Sequence, residues 1–273
     1  ATQAYVAGRR AEARRLWAAA AQKEDPLARF RYAMCVLEGD EEQKANPAEA
    51  ERLLEDASSD SVPEAQYALG VLLVGRDDRR ALELFVGAAK AGVAPAVRNA
   101  ANLFAAGRGC DGGPESDRKA KLLYETAATT TGDPEAHFVL GTWACAGRPD
   151  GEENWDKGFQ HHRIAADTGG PSLVPKARYN LGTHYFTGKG IHQDFAEAAD
   201  EFEAAANDGN IPEAMLNLAN LLDRGLGRDP DPDAAAQWRQ RAFALRPDLT
   251  PPLDDDDDDR RQRRPSSEGD PSL

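Results

Sequence analysis

The sequence predicts an all-α protein built from one repeated pair of antiparallel helices. Apolar residues recur at the spacing of an amphipathic helix, and the whole pattern returns every 31 to 41 residues. The composition agrees, because 41% of the residues are hydrophobic while only 7% are aromatic, and alanine supplies much of the apolar share. Alanine-rich cores favour closely packed helices over a β-sandwich.

Each predicted first helix is marked by an alanine near its start. Counted from Ala177, a large residue follows at plus four (Leu181) and plus eight (Tyr185), a small one at plus five (Gly182) and a glycine at plus eleven (Gly188). Offsets zero, four and eight share one helix face, so they should point inward. The small residue lets the next helix approach, and the last glycine suits a left-handed helix end. The marker alanines are Ala28, Ala65, Ala96, Ala136, Ala177 and Ala214.

Prolines support the same register. Each stands one or two residues before a marker alanine, where the first turn of a helix tolerates a missing N–H. These prolines are Pro26, Pro63, Pro95, Pro134, Pro175 and Pro212.

A second helix follows each first one, with a small residue, a bulky residue three or four positions later and a small residue at plus seven. These segments are Ala50–Ser58, Ala81–Ala89, Ala120–Ala128, Gly158–Ala166, Ala198–Ala206 and Ala235–Phe243. Another copy, Ala13–Ala21, precedes them, and Tyr5 and Gly8 ahead of it keep the spacing of Tyr185 and Gly188. We therefore expect the chain to begin inside a repeat, at the end of a first helix, and to contain thirteen helices.

The predicted domain organisation is a repeat array over residues 1–246, with a partial repeat over 1–25 and six helix pairs after it. Residues 247–273 are proline-rich and lack apolar periodicity, which predicts a disordered tail. The tail holds the aspartate run Asp254–Asp259 and then the basic stretch RRQRRP. That stretch could serve as a localisation signal or as a basic contact with a partner. The alternative is a solvated tail in which the acidic and basic blocks neutralise one another.

Three segments carry a family resemblance: AQYALGVLLVG, ARYNLGTHYFTGKGI and AMLNLANLLDRGLG. They resemble the Sel1-like repeat, a relative of the tetratricopeptide repeat. The resemblance implies a right-handed α-solenoid that holds other proteins together, and it does not imply an enzyme. The fourth pair departs from the pattern, because Ala144 replaces the aromatic residue at plus eight and His161 and His162 fill bulky positions.

Charge and cysteine content exclude several classes of protein. A formal charge of −14 disfavours a nucleic-acid partner, and no apolar run reaches the length of a membrane span. Cys35, Cys110 and Cys145 are odd in number and lack CxxC spacing, which argues against a disulfide framework and a zinc site. They favour a reducing intracellular compartment, either the cytoplasm or the mitochondrial matrix after removal of a presequence, and the nucleus stays open.

No catalytic residue, cofactor or metal site is predicted. His161 and His162 are adjacent and point in different directions on a helix, and no HExxH motif is present. His184 is expected at a surface or in a groove. The alternative is an organelle assembly factor that handles a metal or redox equivalents through these histidines and the cysteines.

The predicted function is a protein-interaction scaffold, an adaptor or a structural subunit of a larger complex. Equivalent positions of stacked repeats should form rows along a concave face, where amides can bind an extended peptide. An arginine on this face would pair with an acidic partner group. The asparagines at plus three, Asn99, Asn180 and Asn217, are instead expected to bond loop backbone in the neighbouring repeat. The candidate partner-binding residues are Arg98, Asn102, Thr183, His184, Asn220 and Asp223.

Overall fold

The computed structural model describes residues 1–249, and over this range its regular secondary structure is α-helical without strands. The all-α prediction is therefore confirmed. The predicted disordered tail lies outside the described residues, apart from its first three positions. The chain divides into two compact units, and the boundary falls between Ala136 and His137.

Unit 1 contains one short helix and seven longer ones, each of which packs against the next along the chain. They are α1 (Thr2–Val6), α2 (Arg10–Ala21), α3 (Pro26–Glu38), α4 (Pro47–Ser59), α5 (Pro63–Leu73), α6 (Asp78–Lys90), α7 (Ala94–Ala105) and α8 (Gly113–Thr131). The described residues thus hold one helix more than the thirteen predicted. The additional helix is α1, which lies where the sequence placed the end of a first helix.

Unit 2 takes in α9 from His137 onward and the five helices that follow. Its helices are α9 (Pro134–Cys145), α10 (Trp155–Thr168), α11 (Val174–Thr187), α12 (Phe195–Gly209), α13 (Pro212–Arg224) and α14 (Pro232–Leu245). From α10 to α14 each helix packs against the next. The helix pairs predicted from the alanine markers are all present.

Two local signals mark the helix starts. Proline occupies the first turn of first helices such as α3, α5 and α13, and also of the second helices α4, α8 and α14. Most second helices begin after an aspartate or asparagine whose side chain accepts a backbone N–H, as Asp77 does before α6 and Asp194 before α12, whereas α8 begins after Gly112 without such a bond. Such caps satisfy N–H groups that have no partner within the helix.

The marker alanines are all buried, as their spacing predicts. The small residue at plus five has a matching reason. A Cβ on Gly70 would lie 2.7 Å from the ring of Phe85, and one on Gly182 would lie 2.6 Å from the ring of Phe202. Glycine therefore lets an aromatic ring of the second helix press against the backbone of the first.

A glycine two positions after the helix-ending one joins successive repeats. Gly109 and Gly227 both have positive φ, +74° and +75°. A Cβ on Gly109 would overlap the backbone at Asp78, and a Cβ on Gly227 would overlap the backbone at Phe195. Since Asp78 and Phe195 begin second helices of preceding repeats, this glycine permits close backbone contact between repeats.

None of the helices within residues 1–249 combines the length and the apolar character that a membrane crossing requires.

Candidate functional site

Unit 1 carries an apolar depression between α3 and α5, with a volume of about 340 Å³. Its lining residues are Phe30, Met34, Leu37, Glu64, Tyr67, Ala68, Val71 and Leu72. Val71 is 46% exposed although it is aliphatic. Concave surface lined mainly by apolar side chains is common in binding sites.

A second depression of about 370 Å³ shares Val71 and extends to α7. It is more polar, and its lining residues are Val71, Val74, Phe85, Asn99, Asn102, Leu103 and Arg108. Arg108 donates two hydrogen bonds of 2.7 Å to the carboxylate of Asp78, so its charge is already paired. The two depressions together are called the unit 1 groove.

Two predicted partner-binding residues lie in unit 1. Asn102 lines the groove, and its Oδ1 accepts a 2.6 Å hydrogen bond from the hydroxyl of Tyr124. Arg98 forms ion pairs with Asp133 at 3.4 Å and with Glu135 at 2.5 Å. An acidic partner group at Arg98 would therefore have to compete with two carboxylates of the chain itself.

Three further predicted residues lie in unit 2 and are at least partly accessible. The hydroxyl of Thr183 donates to the carbonyl of Tyr179 at 3.1 Å. Asn220 is half-buried, while Asp223 is exposed and forms an ion pair with Arg239. Their role in partner binding stays a prediction.

The prediction that His184 lies at a surface or in a groove is wrong. Its exposure is 2%, and it packs between the rings of Trp155 and Phe159, whose centroids lie 5.7 and 5.6 Å away. The physical reason is its position at plus seven of the repeat. The same position holds Cys35, Leu72, Leu103, Trp143 and Leu221 in the other repeats. This apolar series was the sequence signal that marks the position as core.

His162 is also a histidine at a core position. Its exposure is 2%, and a Cβ on Gly141 would lie 2.7 Å from its ring. It therefore occupies the place that Phe85 and Phe202 fill in other repeats. His161 beside it faces His137 instead, with 2.9 Å between their Nδ1 atoms, so the prediction that the two adjacent histidines diverge is confirmed.

Cys145, at the end of α9, completes a group that we call the Cys–His cluster, consisting of Cys145, His162 and His184. Its Sγ lies 3.7 Å from His184 Nε2, and His162 Nδ1 lies 3.1 Å from the same nitrogen. The sulfur and one nitrogen of each ring all lie within 4.8 Å of one another. One residue comes from each of α9, α10 and α11. The alternative hypothesis from the sequence named these histidines with the cysteines in general. It did not single out this group, because its members are far apart along the chain.

Surrounding groups orient both imidazoles. His184 Nδ1 lies 2.7 Å from the carbonyl oxygen of Lys189, so this nitrogen carries the hydrogen and Nε2 carries the lone pair. His162 Nε2 lies 3.0 Å from the Asn180 amide and 3.3 Å from the hydroxyl of Thr142. The amide of Asn180 thus holds a neighbouring side chain, whereas a backbone bond was expected.

Burial shifts the protonation of all three residues toward their neutral forms. It raises the pKa of the Cys145 thiol to about 11 and lowers the pKa of His162 to about 3. Burial also lowers the pKa of His184, and this effect outweighs the hydrogen bond to the Lys189 carbonyl, which raises it. At neutral pH the cluster therefore consists of a thiol and two uncharged imidazoles, which does not favour thiolate nucleophilic chemistry.

The other two cysteines lie apart from the cluster. Cys35 is buried, and burial raises the pKa of its thiol to about 11. Cys110 is half-buried, with its Sγ 3.3 Å from the hydroxyl of Ser116.

The sequence model of the Sel1 repeat matches more than half of the chain, at residues 26–60, 63–93, 94–129, 175–210 and 212–245. The matched ranges leave out α9 and α10, which carry Cys145 and His162. The crystal structure of a Sel1 repeat protein from Oxalobacter formigenes is similar to this chain, with a TM-score of 0.63 and 27% sequence identity. The match covers 81% of this chain and 63% of that protein. The crystal structure of a protective antigen of uropathogenic Escherichia coli shares the fold, with a TM-score of 0.57 and 18% sequence identity. The match covers 85% of this chain and 56% of the antigen.

Curated relatives match over shorter parts of their length. The yeast chitin synthase regulator SKT5 is 31% identical to this chain in a match that covers 55% of this chain and 20% of SKT5. An uncharacterized protein of Neisseria meningitidis is 26% identical, and the match covers 85% of this chain and 45% of that protein. Human protein sel-1 homolog 2 is 32% identical, and the match covers 28% of this chain and 11% of the human protein. The chain thus spans less than half the length of each of these relatives.

Proposed function

Because the chain belongs to the Sel1 repeat family, we propose that it is a non-catalytic scaffold that binds a protein partner through the unit 1 groove. Sel1 repeat proteins are generally protein-interaction scaffolds. The partner would be a subunit of a larger assembly, and this chain its adaptor or structural subunit. The observation that carries the proposal is the exposed aliphatic side chain of Val71, which both depressions of the groove share.

The groove lining indicates the chemistry of the partner segment. Apolar side chains of the partner would cover Val71 and Tyr67, since removal of apolar surface from water contributes about 25 cal/mol per Å². Asn99 and Asn102 at the α7 end offer amides to the backbone of an extended peptide. The chain carries a formal charge of −14, which favours basic residues beside the apolar ones.

The experiment starts with a photo-crosslinking amino acid at Val71 of the full chain in its native extract. The matched control carries the same amino acid at Leu122, which is 64% exposed on α8 and does not line the groove. A protein crosslinked from Val71 alone is then purified, and its affinity is measured by calorimetry. We expect Val71→Asp to weaken binding at least tenfold and Leu122→Asp to leave it within twofold.

Equal crosslinking from both positions, or equal affinity of the two aspartate variants, would show that the groove is not the binding surface. Circular dichroism of both variants checks that neither change disturbs the fold.

A further inference from the structure

We propose that Cys145, His162 and His184 form a binding site for one zinc ion. The site lies in unit 2 and is independent of the groove in unit 1. Each of α9, α10 and α11 supplies one ligand atom, so a bound ion would join three helices of unit 2. Thiolate sulfur and imidazole nitrogen are the ligands that zinc most often takes in proteins.

Two of the three separations between the ligand atoms are close to those around a tetrahedral zinc ion, and all three lie within 4.8 Å. With bonds of about 2.3 Å to sulfur and about 2.0 Å to nitrogen, tetrahedral zinc separates a sulfur from a nitrogen by about 3.5 Å and two nitrogens by about 3.3 Å. The corresponding distances are 3.7 Å from Cys145 Sγ to His184 Nε2 and 3.1 Å from His162 Nδ1 to the same nitrogen. Three protein ligands leave the fourth position to water.

The hydrogen bonds around the cluster prepare His184 for a metal, whereas His162 needs a change of tautomer. The Lys189 carbonyl holds the hydrogen of His184 on Nδ1, and Nε2 faces the cluster with its lone pair. The amide nitrogen of Asn180 lies 3.0 Å from His162 Nε2 and donates to it, so without a metal the hydrogen of His162 is on Nδ1. Zinc binding would move this hydrogen to Nε2, and the Asn180 amide would turn so that its oxygen accepts it. Nδ1 of His162 then also presents a lone pair to the cluster.

Two glycines make room for the cluster. A Cβ on Gly158 would overlap the sulfur of Cys145, and a Cβ on Gly141 would lie 2.8 Å from His162 Nε2. Trp155 and Phe159 cover the His184 ring on its other sides. The side chains can therefore meet only because the two helices lack side chains at these points.

A metal-free alternative is a hydrogen-bonded chain in which His162 Nδ1–H donates to His184 Nε2. That chain satisfies the two imidazoles. It leaves unexplained why two core positions that are apolar in most other repeats hold histidines beside a buried thiol. Binding of the ion forms one Zn–S bond and two Zn–N bonds, and the thiol proton passes to solvent. No electron transfer is involved.

The experiment uses the full chain, purified without a polyhistidine tag, loaded with one equivalent of zinc and dialysed against metal-free buffer. Elemental analysis should find about one zinc per chain. Cobalt(II) in place of zinc should give the visible bands of a tetrahedral site and a thiolate charge-transfer band in the near ultraviolet. Removal of the zinc with a chelator should lower the melting temperature.

Three variants test the ligands, and His161→Gln is the matched control. Cys145→Ser removes the thiolate, while His162→Phe and His184→Leu restore side chains that the same positions hold in other repeats, so these two should fold without metal. All three should retain less than a tenth of the zinc of the wild type, and chelation should no longer change their melting temperature. The control should keep its zinc.

Three results would overturn the proposal: a wild-type chain that does not retain zinc, a cobalt spectrum without the thiolate band, or the same zinc content in His184→Leu and His161→Gln. A chain that retains no metal would be described by the metal-free hydrogen bonds. None of these results bears on the groove, which is tested by a different partner and different variants.

Discussion

Replacement of Gly109 by alanine should destabilise unit 1 more than the same replacement at Gly113, the first residue of α8. The two glycines have nearly the same positive φ, +74° and +79°. Their surroundings differ. A Cβ on Gly113 meets no atom within 4 Å, whereas a Cβ on Gly109 would overlap the carbonyl oxygen of Asp78 and lie 2.7 Å from its carbonyl carbon. The pair therefore separates backbone strain from contact between repeats.

The magnitudes follow from these distances. A left-handed backbone costs a non-glycine residue about 1–2 kcal/mol, and alanine recovers part of this because it restricts the unfolded chain. We expect Gly113→Ala to lower the free energy of unfolding by about 1 kcal/mol. Gly109→Ala adds an overlap with backbone atoms at the start of α6, and such overpacking costs about 1–3 kcal/mol more. The expected loss for Gly109→Ala is therefore about 2–4 kcal/mol.

The assay is urea denaturation of the full chain followed by far-ultraviolet circular dichroism. With a denaturant dependence of about 1–3 kcal/mol per molar urea, a difference of 2 kcal/mol shifts the midpoint by about 1 M. Equal losses in the two variants would refute the reasoning, because the overlap with α6 would then contribute nothing. A larger loss in Gly113→Ala would refute it more strongly.

Three more perturbations have expected outcomes. Phe202→Ala should lower the free energy of unfolding by about 3–5 kcal/mol in the same urea assay, because the ring is 0% exposed and no side chain can fill its place. The Arg14 guanidinium holds the pKa of Asp40 below its usual value of about 3.9. The ion pair should therefore stabilise the chain at pH values above about 4 and lose its effect as the pH falls through the lowered pKa. Melting temperatures from pH 7 to pH 3 should show this loss in the wild type, and Asp40→Asn should show a lower value at pH 7 with a smaller acid dependence. Tyr124→Phe removes the hydrogen bond to Asn102 and should cost about 1 kcal/mol, measured by urea denaturation; an unchanged midpoint would show that the bond contributes nothing.

The helical repeats of this protein can be predicted from sequence because their causes are local. The marker alanines, the prolines of the first turn and the glycines at helix ends act within one helix or one turn, and their spacing follows the period of the helix. Gly188 and Gly225, predicted to end their helices, adopt left-handed conformations in the structure.

The Cys–His cluster depends on contacts that no single repeat contains. Cys145, His162 and His184 meet because three helices pack so that the end of α9 faces α10 and α11. Helix periodicity assigns a side chain to a face, but the residues that cover this face belong to the neighbouring repeat. A histidine at plus seven can therefore belong to a solvated edge or to an interior, and the packing of Trp155 and Phe159 over His184 places it in the interior. The unit 1 groove has the same origin, because the exposure of Val71 depends on how closely α3, α5 and α7 approach one another.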